Sequence, residues 1–216
     1  MLYERDEHRA ALDYLEAWMP AYPRQGLMHC HLSWHVALSA LALGERERAW
    51  RAYREGVHPV GGAWGPPLNV ATDAPSFLWR AELAGEPHHG ALWGEARDYA
   101  LQNFPKAGVP FADVHVALAC AAVGDGENLG RVIRQLRERE AAGRLPPGPV
   151  VAKLAEAFAA YAKSELSRAI ELLEAALPET VRIGGSRAQR DIVEFTLRAA
   201  CVQAERTPPG RRSATA

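Results

Sequence analysis

Apolar residues recur along this chain every three to four positions and almost nowhere every second one. That period lays them along one face of a helix. The β-branched residues are dispersed among Ala, Leu, Glu and Arg, which favour helix, so the pattern predicts an all-α chain without strands. Gly and Pro punctuate it into about ten helices. The first covers residues 6–21, turns Ala10, Ala11, Leu15 and Trp18 inward and stops at Pro23. The second, residues 27–43, ends at Gly44, which suits the left-handed position after a helix. The third, 45–56, buries Ala49, Trp50 and Tyr53. The fourth is expected over 69–84, with Pro75 in its first turn or kinking it. The remaining six fall at 91–103, 113–123, 129–142, 150–163, 165–177 and, after Gly184–Gly185, 186–205. Residues 58–67 are the longest irregular piece and read as a crossover between helical pairs or as a lid. A single array over 1–206 and a disordered Pro/Gly/Arg/Ser-rich tail over 207–216 complete the organisation.

The helices fall into antiparallel pairs. Gly44, Ala49 and Tyr53 repeat the pattern of Ser164, Ala169 and Leu173, and Ala11, Leu15, Trp18 and Pro23 match the second helix of another such unit. Ala11 and Ala49 lie 38 residues apart, near the roughly 34-residue tetratricopeptide period. The middle of the chain does not keep that spacing. No pair can bury its apolar face alone, so neighbours are expected to stack into a superhelix.

Four stretches carry a resemblance: HLSWHVALSALALGERERAW (31–50), DAPSFLWRAELAG (73–85), FADVHVALACAAVGD (111–125) and, most specifically, IGGSRAQRDIVEFTL (183–197). Taken in order over residues 7–205, the chain resembles the C-terminal half of the tetratricopeptide repeat protein 38 family. The resemblance implies an all-α, tetratricopeptide-like α-α superhelix in a family of no settled biochemical activity. Two positions depart from the family pattern: Arg187 stands where His or Asn is usual, and Pro75 interrupts a helix the family continues.

Composition narrows the function classes. The chain of 216 residues is 24 % charged with a formal net charge of -1, which provides no global attraction for nucleic acid or anionic membranes. No apolar run approaches the ~20 residues of a membrane span, and the charged N-terminus lacks a signal-peptide core. Cys30, Cys120 and Cys201 show no paired spacing and read as buried free thiols of a cytoplasmic protein. Neither a P-loop nor a dinucleotide fingerprint occurs, and no cofactor is expected. The arginines at 131, 134, 137 and 139 are balanced by Glu138 and Glu140 and form a solvated helix face.

The candidate chemistry lies in polar residues embedded in apolar helical text. His31 and His35 share a face at i, i+4; with Asp113 or His115 from a facing helix they could chelate a metal, or they hydrogen-bond across a polar seam. Leu32 stands where a zinc protease of the HExxH type needs Glu. Ser186 and Gln189 form a capping box after the paired glycines, with Asp191 placed to favour the helix dipole. Arg190 either pairs with Asp73 or Asp113 or, with the helix N-terminus, holds an anion. Trp79 reads as core, and Arg80 as a partner of Glu82 or a neighbour; the alternative is that Trp34, Trp79 and Arg80, aromatics beside an arginine, line a ligand groove. His58, His88 and His89 read as solvated loop histidines.

Two function classes follow. The first is a scaffold that holds a protein or peptide partner in the groove stacked pairs create. The alternative is a small-molecule-binding protein or enzyme with a His/Asp/Arg pocket, in which His35, Asp113 or His115, and Arg190 or Asp191 meet, and a histidine or aspartate serves as general base. Leu12, Leu15, Trp18 and Met19 present more apolar surface than one neighbour covers, so a two-fold homodimer is expected.

Overall fold

A computed structural model describes residues 2–206; the expectation of a disordered tail over 207–216 lies outside them. The described chain is all-α. A 3-10 turn, Tyr3–Arg5, precedes α1 (His8–Trp18), α2 (His29–Ala42), α3 (Arg46–Gly56), α4 (Pro67–Leu83) and α5 (Gly90–Asn103). After these come α6 (Pro110–Ala122), α7 (Gly126–Ala141), α8 (Val150–Ala162), α9 (Leu166–Ala176) and α10 (Arg187–Arg206). Shorter 3-10 segments cover Met19–Ala21 and Leu177–Ile183.

Two helix starts and one interior proline show how local chemistry modifies the periodicity. Pro110 opens α6 earlier than expected, because its fixed φ and missing N–H suit a first helical position. Asp125 caps α7, accepting from the Asn128 N–H at 3.1 Å. Pro75 sits inside α4, beyond its first turn; its missing N–H deprives the Ala71 carbonyl of a helical partner. Packing offsets that loss, for residues 70–81 of α4 are all buried.

One turn is repeated four times. After α2, α4, α6 and α8 the chain reverses through Gly44, Gly85, Gly124 and Ser164, all at positive φ. In each, the next N–H reaches back to the third-last helical carbonyl: Glu45 to Ala40, Glu86 to Ala81, Asp125 to Cys120 and Glu165 to Ala160, all at 2.9 Å. The turns recur about every 40 residues, within the range of helical-repeat periods. The middle of the chain therefore does keep a repeat, carried by turn geometry where the apolar spacing loses it.

These reversals make α2, α4, α6 and α8 one packed row, with α3, α5, α7 and α9 as their antiparallel partners behind. α10 then folds back over the row. It packs on α4 as well as α9, and Gln203 donates to the Tyr161 hydroxyl of α8 at 2.7 Å. Held between α5 and α10, α4 is buried almost all round, and α6 is enclosed by α4, α5, α7 and α8, which is why both lack a polar face. Residues 58–66 are a crossover docked on the first turn of α2 and the chain before it: Cys30 N–H donates to the Trp64 carbonyl at 2.9 Å, and Arg24 to the Gly62 carbonyl at 3.2 Å.

The apolar face of α1 is mostly used within the chain. Leu12 is buried against α2 and Leu15 and Met19 are half-buried, leaving Trp18 exposed and stacked on Tyr22. Cys30 and Cys120 are buried thiols, whereas Cys201 is half-buried. Among the described residues, no helix is long and apolar enough to cross a membrane.

Candidate polar core and groove

Helical spacing sets the first pair. His31 and His35 lie one turn apart on α2, and their rings meet edge to face with centroids 4.7 Å apart. Asp73 and Arg80 are seven residues apart on α4, hence on one face, and α2 packs against α4. His31 Nδ1 lies 2.9 Å from Asp73 Oδ2. The third element is the start of α10. Ser186 and Gln189 form the reciprocal cap: Ser186 N–H donates to Gln189 Oε1 at 2.9 Å, and Gln189 N–H to Ser186 Oγ at 3.3 Å. With its oxygen so engaged, Gln189 turns its amide nitrogen to Asp73 Oδ1 at 3.1 Å. One side chain thus caps α10 and ties it to α4.

Asp73 is fully enclosed. Burial pushes its carboxyl above the ordinary range, against the pull of His31, Gln189 and Arg80. His35 is pushed down to about 3, first by burial and then by His31 and Arg80, so it is neutral near pH 7. While Asp73 is ionised, His31 donates through Nδ1 and presents Nε2 as the basic nitrogen, on a side chain that is 14 % exposed.

Arg80 does not pair with Glu82, which instead accepts from His88 at 2.9 Å and from the Trp93 indole. Its guanidinium donates to the Tyr3 hydroxyl at 3.1 Å and to the Ala188 carbonyl, and lies over the rings of Trp34 and Phe195. Asp191 is half-buried, 3.8 Å from Arg187, and burial raises its carboxyl.

The remaining candidates lie apart. Asp113 turns back to accept the Gly108 N–H at 2.9 Å, and burial raises it to about 6. His115 donates Nδ1–H to the Phe111 carbonyl at 2.8 Å, which leaves Nε2 buried without a partner; burial lowers it to about 4. Arg190 is half-buried and donates to the Gly185 carbonyl in place of an acid such as Asp73 or Asp113. No group of three or more His, Cys, Asp or Glu among the described residues is arranged to hold a metal ion. The loop histidines are not simply solvated: His58 bonds Glu95 at 2.5 Å, and His89 meets the Trp50 ring edge on.

Beside this core opens a groove of about 710 Å³ between the C-terminal halves of α2 and α4, the outer face of α10 and the N-terminal turn. Arg80, Asp191 and Tyr3 line it, whereas His31, His35 and Asp73 do not. Tyr3 stands at the junction, its ring against His35 at 6.2 Å and its hydroxyl on Arg80. Tyr3 and Phe195 were invisible as site residues in the sequence. Tyr3 precedes any periodic segment, and Phe195 reads as one more apolar position of α10.

No family model matches this chain. No solved structure matches it significantly either.

Proposed function

We propose that this is a cytoplasmic protein that binds a small molecule in the groove beside Arg80. One observation carries the reading. α10 packs across α4, so the chain itself fills the face where a stacked-helix scaffold would hold a peptide, and the space left open ends on a buried arginine. At about 710 Å³ the groove falls within the usual range of small-ligand sites. The His31–Asp73–Gln189 network sits behind it and fixes α10 against α4, which holds the groove's walls in register. The resemblance to the tetratricopeptide repeat protein 38 family agrees with this helical array and assigns it no chemistry. The test is a ligand-observed NMR screen of fragments against the wild type and Ala199→Trp, which fills the groove from α10. Hits that lose their signal in the variant support the reading; a screen in which no hit responds to the substitution overturns it.

A second reading, a protein-binding scaffold or homodimer, is favoured by a separate feature. Trp18, Leu27, Met28 and Trp64 are exposed at the end of α1, in the chain before α2 and in the 58–66 crossover docked there. Sedimentation of wild type against Trp18→Ser/Trp64→Ser tests self-association: a dimer that the double variant dissociates supports the homodimer, and a wild-type monomer at high micromolar concentration excludes it.

A further inference from the structure

The groove ends on a charge that no group among the described residues meets at ion-pair distance. Arg80 is 5 % exposed, and among the described residues its hydrogen bonds run only to the Tyr3 hydroxyl and the Ala188 carbonyl. Asp73 and Asp191 act on it electrostatically from farther off, and its Nε is buried without a partner. A guanidinium presents five N–H donors in a planar fork matched to a carboxylate. Holding that charge out of water without a paired anion is costly. Trp34 and Phe195, with ring centroids 5.7 and 5.0 Å from the guanidinium carbon, fix the fork in place.

The rest of the groove sets what may accompany the anion. Leu38, Leu41, Leu83 and Val202 give it an apolar wall. Its rim carries Glu4, Asp6 and Glu194. Arg187 and Arg198 at the rim are each engaged with an acid on their own helix, Asp191 and Glu194. With Arg206 also on it, the rim carries both signs, while the deep end, a single guanidinium on which the groove-lining Asp191 already acts, calls for a single negative charge.

Resting on the small-ligand reading, we infer that the groove takes a monoanionic carboxylate with an apolar body, its carboxylate on the Arg80 fork and its body along the leucine wall. A free alkyl carboxylate and the C-terminus of an apolar peptide offer the same chemistry. Calorimetric titration of the full chain at pH 7.5 tests it, with decanoate, decanol, decyl phosphate and an apolar tetrapeptide carrying a free or amidated C-terminus. A carboxylate ligand is expected to bind at least tenfold tighter than decanol and than decyl phosphate. Arg80→Met should remove that advantage and leave decanol unchanged. Should that variant fail to fold by circular dichroism, Ala199→Trp blocks the groove with Arg80 intact and should abolish carboxylate binding. The tighter of decanoate and the free-terminus peptide identifies the source. Equal affinity for decanol and the carboxylates, both lost in Ala199→Trp, overturns the carboxylate assignment and leaves the groove reading standing. Carboxylate binding that Ala199→Trp does not weaken overturns the placement in this groove.

Discussion

Replacing Asp73 probes the polar core most directly, because two helices reach the same enclosed carboxylate. Asp73→Ala strips the partner from His31 Nδ1 and from the Gln189 amide at once. Hydrogen bonds to a charged group contribute about 1.5–3 kcal/mol each, so the two together contribute about 3–6 kcal/mol. The deletion also relieves the burial that pushes the Asp73 carboxyl up, so the expected loss sits at the lower end, about 3 kcal/mol. Asp73→Asn should cost less, about 1–2 kcal/mol, since one oxygen survives. It makes a sharper demand on His31. Gln189 must still donate, because its own oxygen is held by the Ser186 N–H. The new carboxamide therefore gives its oxygen to Gln189 and turns its NH₂ to His31, whose Nδ1 must then accept. The imidazole proton moves from Nδ1 to Nε2. Long-range ¹H–¹⁵N spectra at pH 8 read this tautomer, and urea unfolding reads the stability. Asp73→Ala within 1 kcal/mol of wild type, or an Asn variant whose His31 keeps its proton on Nδ1, would refute the network.

Three further outcomes follow from the geometry. Asp113 titrates near 6 in the folded chain against an ordinary 3.8, so its stabilising effect is present at low pH and is lost as pH rises through 6. That rise is worth about 3 kcal/mol: Asp113→Asn, whose oxygen can still accept from Gly108, should match wild type below pH 3.5 and gain up to that amount by pH 7.5, and a stability difference independent of pH would contradict it. Thr196 accepts the buried Trp79 indole N–H at 2.8 Å, so Thr196→Val, equal in shape, should cost about 1–3 kcal/mol in chemical denaturation. Gly185 has φ +79 and an added Cβ would lie 2.6 Å from the Phe111 ring, whereas Gly184, at φ +90, meets nothing within 4 Å; thermal melts should therefore rank Gly185→Ala well below Gly184→Ala.

Much of the fold was legible because helix is a local property. Apolar period, the glycine after α2, α4 and α6 and the Ser186/Gln189 cap all act within a few residues. The errors came where chemistry outside the pattern intervened, as when Pro110 and Asp125 started their helices early. The pairing of His31 with Asp73 is different in kind. It joins residues 42 apart in sequence, and nothing local distinguishes Asp73 from Asp113. What separates them is direction: Asp113 lies in the first turn of α6 and bends back to its own loop, while Asp73 lies mid-helix on the face that meets α2 and α10. Arg190 was the wrong arginine for a related reason. Its position beside the cap suggested an inward role, but Gln189 already faces Asp73 there, so Arg190 projects outward.

The position of α10 links these parts. In an open helical array the inner row keeps a solvated face and must stay polar there. Here residues 70–81 of α4 are all buried, Phe77 against Trp50 and Tyr53 of α3, and Asp73, Trp79 and Arg80 against α10. Covering α4 forces its polar groups into the interior, where each needs a partner: Asp73 finds His31 and Gln189, and Thr196 of α10 receives the Trp79 indole of α4. Among the described residues Arg80 finds only a hydroxyl, a carbonyl and two rings at contact distance, and it is the member of the set that borders open space. The closure that removes a peptide groove is thus the same event that buries an arginine at the end of a smaller one. That coupling makes the integrity of the α4–α10 contact, through Asp73 and Thr196, a condition for the groove to exist.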